Sequence, residues 1–317
     1  MNYTYSVGKN GTIYRLHAED DPDPTNPRRD DEGNIGTMYC EHIRRRLGDE
    51  TDLESKLDMK YRMIEDAGVS IKKVIEAAKF GKFNNISLVY YRKERVWNLY
   101  TRKKNGELTL AEREPSLSFL EEDIIDHLSV PEIVEFLKGK LFALPLFLYE
   151  HSGICISTSD FCDPYDSGQV GWIWTSREKV ERLCGRKNVT DEEIYQWLKG
   201  EVGQYSQYLE GECYGYIEEK YVMGEWEEID SSWGYYPKTA DFLPEISDEV
   251  FGKERWTYDE PVLPEPVKII GDRIRSMSND ELQDLMDLVV RKTLEQIRKH
   301  LTGEELLKLL LSECSSL

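Results

Sequence analysis

Hydrophobic residues recur along this chain at helical and strand spacings in short, well-separated segments. Leu53, Leu57, Tyr61 and Ile64 follow a three- to four-residue spacing that breaks near Gly68 and resumes with Ile71, Val74, Ile75 and Ala78, which predicts a helix in two pieces over residues 53–81. Residues 86–91 and 96–100 are β-rich runs joined by the charged residues 92–95, a predicted hairpin. Helices follow over 119–127 and 132–138, the second opened by Pro131 at a helix-start position. Residues 142–149, 154–157 and 170–175 read as strands and 177–184 as a short helix. Thr190 and Glu193 form a capping box that starts a helix running to about residue 209. A second hairpin, 213–222 with 225–229, turns at Met223-Gly224; Tyr214, Tyr216 and Glu218 share one face of its first strand and Cys213, Gly215 and Ile217 the other.

Proline interrupts this pattern twice. Residues 20–27 (DDPDPTNP) cannot continue a helix or a central strand and read as a loop. Residues 241–270, with Pro244, Pro261, Pro264 and Pro266 among acids, read as a linker. Beyond it, Ser278 with Glu281 and Thr302 with Glu305 form two capping boxes. Each precedes an amphipathic stripe: Leu282, Leu285, Met286, Val289, Leu294 and Ile297, then Leu306, Leu307, Leu309, Leu310 and Leu311. Two short helices cannot bury that many leucines by themselves, so the pair is expected to mediate homo-oligomerisation, with Leu285, Val289, Leu306 and Leu310 at the contact. The predicted fold is α+β: a mostly antiparallel sheet with flanking helices, plus a C-terminal helical hairpin. The expected organisation is an N-terminal α+β region at 1–140, a central acidic α+β region at 141–240, the linker at 241–270 and the hairpin at 271–317.

Charge changes this picture more than composition does. Residues 190–265 contain 20 Asp and Glu against 5 Lys and Arg, most of the chain's net charge of −20. The same segment holds Tyr205, Tyr208, Tyr214, Tyr216, Trp226, Trp233, Tyr235 and Tyr236, so it folds rather than trailing as an acidic tail. A concentrated acidic surface repels nucleic acid and acidic lipid and attracts basic protein grooves, although a charge run is more often a solubilising face. The N-terminal residues show no signal-peptide pattern, no apolar run reaches the roughly 20 residues of a membrane helix, and the six cysteines are dispersed without a Cys-x-x-Cys pair. The expectation is a cytoplasmic protein with reduced thiols, no membrane contact and no cofactor.

Two patches are dense in chemistry-bearing residues. One runs from His151 and Ser152 through Cys155 to Asp163, Asp166, Ser167 and Gln169, and the predicted strands bring its ends together. A Ser-His-Asp triad or a Cys-His pair can be composed from these types, but no nucleophile-elbow context is present and turn hydrogen bonding can consume each polar group, so a structural role is expected for His151 and Asp166. The other patch spans Asn26-Pro27-Arg28, Gly36-Thr37-Met38-Tyr39-Cys40-Glu41-His42 and Leu47-Gly48-Asp49. Cys40 and His42 could join His151 or Cys155 around zinc, but their spacing matches no finger and core placement is the simpler reading.

Together, the Asn-Pro-Arg, Gly-Thr-Met-x-Cys-x-His and Leu-Gly-Asp elements, with Leu148-Tyr149-x-His151-Ser152-Gly153-Ile154 and Asp166-Ser167-Gly168-Gln169-Val170-Gly171, resemble a group of uncharacterised proteins of bacteriophages and other bacterial mobile elements. The resemblance covers about residues 20–240 and extends to Asp230-Ser231-Ser232-Trp233-Gly234-Tyr235-Tyr236. Arg46 and Tyr165 depart from it where an aromatic and Trp are common. It implies provenance and no activity. Provenance and charge lead to the expectation of a non-enzymatic counter-defence protein in the host cytoplasm. Its partner would be a host defence nuclease or helicase complex of the restriction, CRISPR or Gabija kind, held through a DNA-mimicking surface and without direct nucleic-acid contact. The expected contact residues are Glu210, Glu212, Glu218, Glu219, Glu225, Glu227, Glu228 and Asp230. The alternative is an enzyme acting on a nucleotide or host protein through His151, Asp166 and Gln169, with Cys40 and His42.

Overall fold

The computed structural model describes residues 2–29, 33–49, 53–222, 224–237 and 241–263, with 277–279, 282–284, 286, 287, 290 and 291. It is an α+β fold whose paired strands are mostly antiparallel. Two compact units divide it: residues 20–215 with 233–240 form one, and residues 1–19, 216–232 and 241–317 the other.

The first of these units is built on two sheets. In one, β3 (Thr37–Cys40), β9 (Ser167–Ser176), β7 (Leu141–Glu150) and β8 (Ile154–Ser157) lie in that order. Helix α6 (Asp191–Glu210) buries Ile194, Leu198, Val202 and Tyr205 in the cluster formed with Met38, Leu146 and Ile173. It begins at the predicted Thr190/Glu193 capping box and ends at Gly211 in a left-handed conformation. The other sheet is β4 (Ile86–Tyr91), β5 (Val96–Arg102) and β6 (Leu108–Glu114). Its apolar face shares a core with α1 (Lys56–Asp66), α2 (Ile71–Lys79), α3 (Glu121–His127) and α4 (Val130–Phe136), where Met63, Ile64, Leu99, Ile124 and Ile125 are fully buried. The break between α1 and α2 falls at Gly68, as its positive φ of 64° requires. A short helix, α5 (Arg177–Cys184), follows β9.

The second unit contains most of the sheet ordered β1 (Thr4–Val7), β2 (Ile13–Asp20), β10 (Tyr214–Val222) and β11 (Glu225–Tyr235). The Arg15 guanidinium lies 4.4 Å from the Tyr3 ring centre and 4.3 Å from that of Trp226, and it is bound to Glu219. Residues 241–270 are not wholly a linker: they begin with helix α7 (Phe242–Val250), which buries Phe242, Leu243 and Ile246, and Thr257 pairs with Tyr5. Pro244 stands in the first turn of α7, where a missing N–H leaves no intrahelical bond unmade, so it does not break the helix. Strands β1, β2, β3 and β6 are additions to the elements predicted from sequence.

Candidate functional site

Several carboxylates of the acidic segment are bound by basic residues. On α6, Asp191 is bound by Arg177 and Glu193 by Arg186. Glu201 is drawn inward by Arg28 at 2.8 Å. On β10, Glu219 receives two hydrogen bonds from Arg15, at 2.6 and 2.8 Å, and has His17 Nδ1 at 3.6 Å, so it is unsuited to a partner contact. Glu218 is half-buried; burial, reinforced by Asp230, raises its carboxyl above the ordinary range.

A further acidic group lies on β11. Glu225, Glu227, Glu228 and Asp230 are all exposed, and the eleven-residue strand contains no Lys or Arg. Among the described residues it is the edge of its sheet, with a strand on one side alone. Among the described residues, Glu227, Glu228 and Asp230 have no cationic partner; Glu228 accepts from Ser231 Oγ at 2.9 Å and Asp230 from Tyr216 Oη at 3.4 Å. Four carboxylates in six residues occupy roughly 20 Å of strand at ~3.4 Å per residue. Successive side chains alternate faces, so Glu225 and Glu227 share one face and Glu228 and Asp230 the other, each pair about 7 Å apart along the strand.

Glu210 and Glu212 stand apart from this row in the first unit. They line a cavity of about 550 Å³ with Arg45, Glu150 and Ser152, and Glu210 accepts from Ser206 Oγ at 2.7 Å. The proposed oligomer contacts Leu285, Val289, Leu306 and Leu310 lie outside the described residues; Met286 and Val290 of the same segment are exposed.

The His151 patch assembles in part. His151 Nδ1 lies 2.9 Å from Asp166 Oδ2, at the surface. Asp163 organises the adjoining turn: its carboxylate accepts from the backbone N–H of Asp166 and Tyr165, which holds it below the usual carboxylate range, and its carbonyl accepts from Ser167 Oγ. Gln169 donates to the Gly171 carbonyl at 3.5 Å. Cys40, His42, His151 and Cys155 do not converge as ligands, and among the described residues no three His, Cys, Asp or Glu form a metal-binding group. Burial, with a further contribution from Asp49, pushes the Cys40 thiol up to about 12, and burial with Glu210 also raises Cys155, which leaves neither suited to nucleophilic attack.

The Asn-Pro-Arg and Leu-Gly-Asp elements meet around a buried cation. Arg28 donates to Asp49 at 2.7 Å, to Glu201 at 2.8 Å and to the Gly36 carbonyl at 2.9 Å. The two carboxylates also accept backbone N–H groups, Glu201 from Ile35 and Gly36 and Asp49 from Met38. Gly48, with φ of 79°, donates to the hydroxyl of Tyr205, and a Cβ there would come within 2.7 Å of the Met38 carbonyl. These motif residues therefore brace β3 against α6. Sequence reasoning singled out Arg28 and Asp49 but missed Glu201, which sits 173 positions away on a helix whose other acids face solvent.

Among the described residues no helix is long and apolar enough to cross a membrane. Searches against protein-family models, curated proteins and solved structures returned no match to this chain.

Proposed function

We propose that this chain is a binding protein that places the acidic edge strand β11 in the basic, DNA-holding groove of another protein. The observation that supports this reading is the row Glu225, Glu227, Glu228 and Asp230: exposed, at the open edge of a sheet, on a strand with no basic residue. A rigid strand presents carboxylates to Lys and Arg with little ordering cost, and complementary fields steer the encounter. In the setting that the motif resemblance implies, the chain is encoded by a phage or mobile element. Its partner is then a host defence nuclease or helicase complex of the restriction, CRISPR or Gabija kind, met in the host cytoplasm. Glu218 contributes field to the same surface.

The test is inhibition of a panel of such nucleases by the protein and by a variant carrying Glu225→Gln, Glu227→Gln, Glu228→Gln and Asp230→Asn. The expected result is stoichiometric inhibition by the natural chain, relieved by excess duplex DNA and by raising ionic strength, since exposed pairs are screened beyond ~8 Å at physiological salt. The variant should not inhibit. Charges on an edge strand also prevent pairing with another chain; if that is their whole purpose, the variant inhibits as well as the natural protein and tends to aggregate.

One observation favours the enzymatic alternative. The His151–Asp166 contact at 2.9 Å is the geometry of an oriented base, with His151 65% exposed. A turnover that His151→Ala abolishes without lowering Tm would establish that reading in place of the first.

A further inference from the structure

We propose that the outer face of the β4–β5–β6 sheet is a platform for single-stranded nucleic acid. The register divides the sheet into two faces, with one shift between β5 and β6 at Leu99/Tyr100. Ile86, Leu88, Trp97 and Leu99 pack into the core. Directly paired residues share the opposite face: Val89 with Asn98 and then Arg113, and Tyr100 with Leu110, with Tyr91 two positions beyond Val89. The solvent face of an antiparallel sheet ordinarily carries polar residues, yet here Val89, Tyr91 and Leu110 are exposed. A contiguous exposed apolar surface marks an interaction site.

The polar groups of this face are already arranged. The Tyr91 and Tyr100 hydroxyls are 2.9 Å apart, Asn98 Nδ2 donates to the Tyr100 oxygen at 3.2 Å, and Arg113 Nε donates to Asn98 Oδ1 at 3.2 Å. Asn98, 2% exposed, ties this row together from below. Both rings are thereby held at the surface.

Cations stand at both ends of the face. The β4–β5 turn carries Arg92, Lys93 and Arg95, and the β5–β6 turn carries Lys103 and Lys104. Arg102 donates to the carbonyls of Asn84 and Gly106, so its charge is held in place without being neutralised. Among the described residues, Arg113 with Glu94 at 3.0 Å is the one ion pair this sheet makes. Residues 86–114 hold seven Lys and Arg against four acids in a chain of net charge −20.

Unpaired cations at two ends with fixed aromatic rings between them match a polyanion that also has flat apolar faces. Single strands bind in this way, phosphates to Lys and Arg and bases stacked on aromatic rings, at sites of roughly 4–16 nucleotides. The seven residues of β5 at ~3.4 Å each separate the two cation clusters by roughly 24 Å, enough for several nucleotides. A duplex keeps its base faces stacked and cannot use the tyrosines. An acidic polypeptide matches the cations but has no repeating planar group for the rings. β11 lies in the other unit, so this inference does not depend on the proposed function.

The experiment is fluorescence anisotropy with labelled oligo(dT) and oligo(U) of about 15 nucleotides, against a duplex of equal length and polyglutamate, at salt from about 50 to 200 mM. Binding of either single strand is expected, and preference between them identifies DNA or RNA as the ligand. The logarithm of the affinity should fall with the logarithm of the salt concentration, by about 0.7 for each cation engaged. Tyr91→Ala and Tyr100→Ala should each weaken binding by roughly 5- to 100-fold, and Tyr91→Phe much less. Lys103→Glu with Lys104→Glu, in an exposed turn remote from the core, should weaken binding with no change in Tm. The proposal is overturned by failure of both strands to bind at low salt, by duplex or polyglutamate binding as tightly as oligo(dT), or by full affinity in the charge-reversed and Tyr→Ala variants with native melting behaviour.

Discussion

Arg28, itself buried, holds two partly buried carboxylates, and removing it exposes an asymmetry. Burial outweighs the pull of Arg28 and the N–H groups and raises the Glu201 carboxyl above its ordinary value, while the same carboxylates keep Arg28 protonated. A raised folded-state value means that this component of stability is complete below the unfolded carboxyl value, about 4.3, and is lost as pH rises through the folded one. Arg28→Met leaves Glu201 and Asp49 without their cation and should cost about 3–5 kcal/mol in urea denaturation. Glu201→Gln keeps acceptors for the Ile35 and Gly36 N–H groups and should cost about 1–2 kcal/mol. The reverse order would show that Arg28 does not depend on these partners. Gly171→Ala is expected to destabilise by several kcal/mol, because its Cβ would stand 1.9 Å from the Tyr39 carbonyl across the β3–β9 pair. At this scale the motifs were legible and their purpose was not. Cys40 and His42 could be composed into a zinc set, with core placement the simpler reading, and the Asn-Pro-Arg and Leu-Gly-Asp elements implied no role, whereas only the tertiary structure shows Glu201 completing an ion cluster.

Elements were read best where periodicity was long. α6 starts at its predicted capping box, α5 and β8 have their predicted limits, and α1 and α2 divide where expected. β1 and β3, four residues each, are too short to show alternation, and β6 carries too many exposed charged residues to look like a strand. α7 was concealed by Pro244. Burial opposes ionisation of Glu132, but hydrogen bonds from the Asn85, Ser129 and Asn84 backbone and the Ser129 hydroxyl hold its carboxyl below the ordinary range. At the head of α6, the Arg186 hydrogen bond, followed by those of Thr190, lowers Glu193 to about 2. Depressed values contribute stability that is present above the unfolded value, about 4.3, and is lost as pH falls through the folded one. Thermal melts should accordingly show Tm falling between pH ~4.3 and 2, with the Glu132→Gln and Glu193→Gln variants less sensitive over that interval. Identical acid sensitivity in the natural protein and both variants would assign the loss to other carboxylates.

For the whole molecule, charge read from sequence located an acidic segment but not which of its carboxylates are bound by basic residues. Four of its carboxylates are bound by Arg15, Arg28, Arg177 and Arg186, all of them distant in sequence or on another element. The exposed row on β11 emerged once the strand order put that strand at an edge. The C-terminal stripes remain the basis for proposing a homo-oligomer. Truncation after Pro266 should yield a folded protein of smaller assembled mass by light scattering, whereas a monomeric mass for both forms would remove the proposal.

The partition of the chain also bears on its synthesis. Residues 1–19 belong to a unit whose remaining strands begin at residue 216, so β1 and β2 leave the ribosome about 200 residues before their partners. At about 5–20 residues per second they wait roughly 10–40 s while the intervening unit emerges. During that interval the unpaired edge of an incomplete sheet is available to any strand nearby, including those of neighbouring nascent chains. A ribosome-bound chain halted near residue 215 should therefore have a protease-resistant interior and an N-terminus that is still cleaved, and release of the remaining hundred residues should protect it.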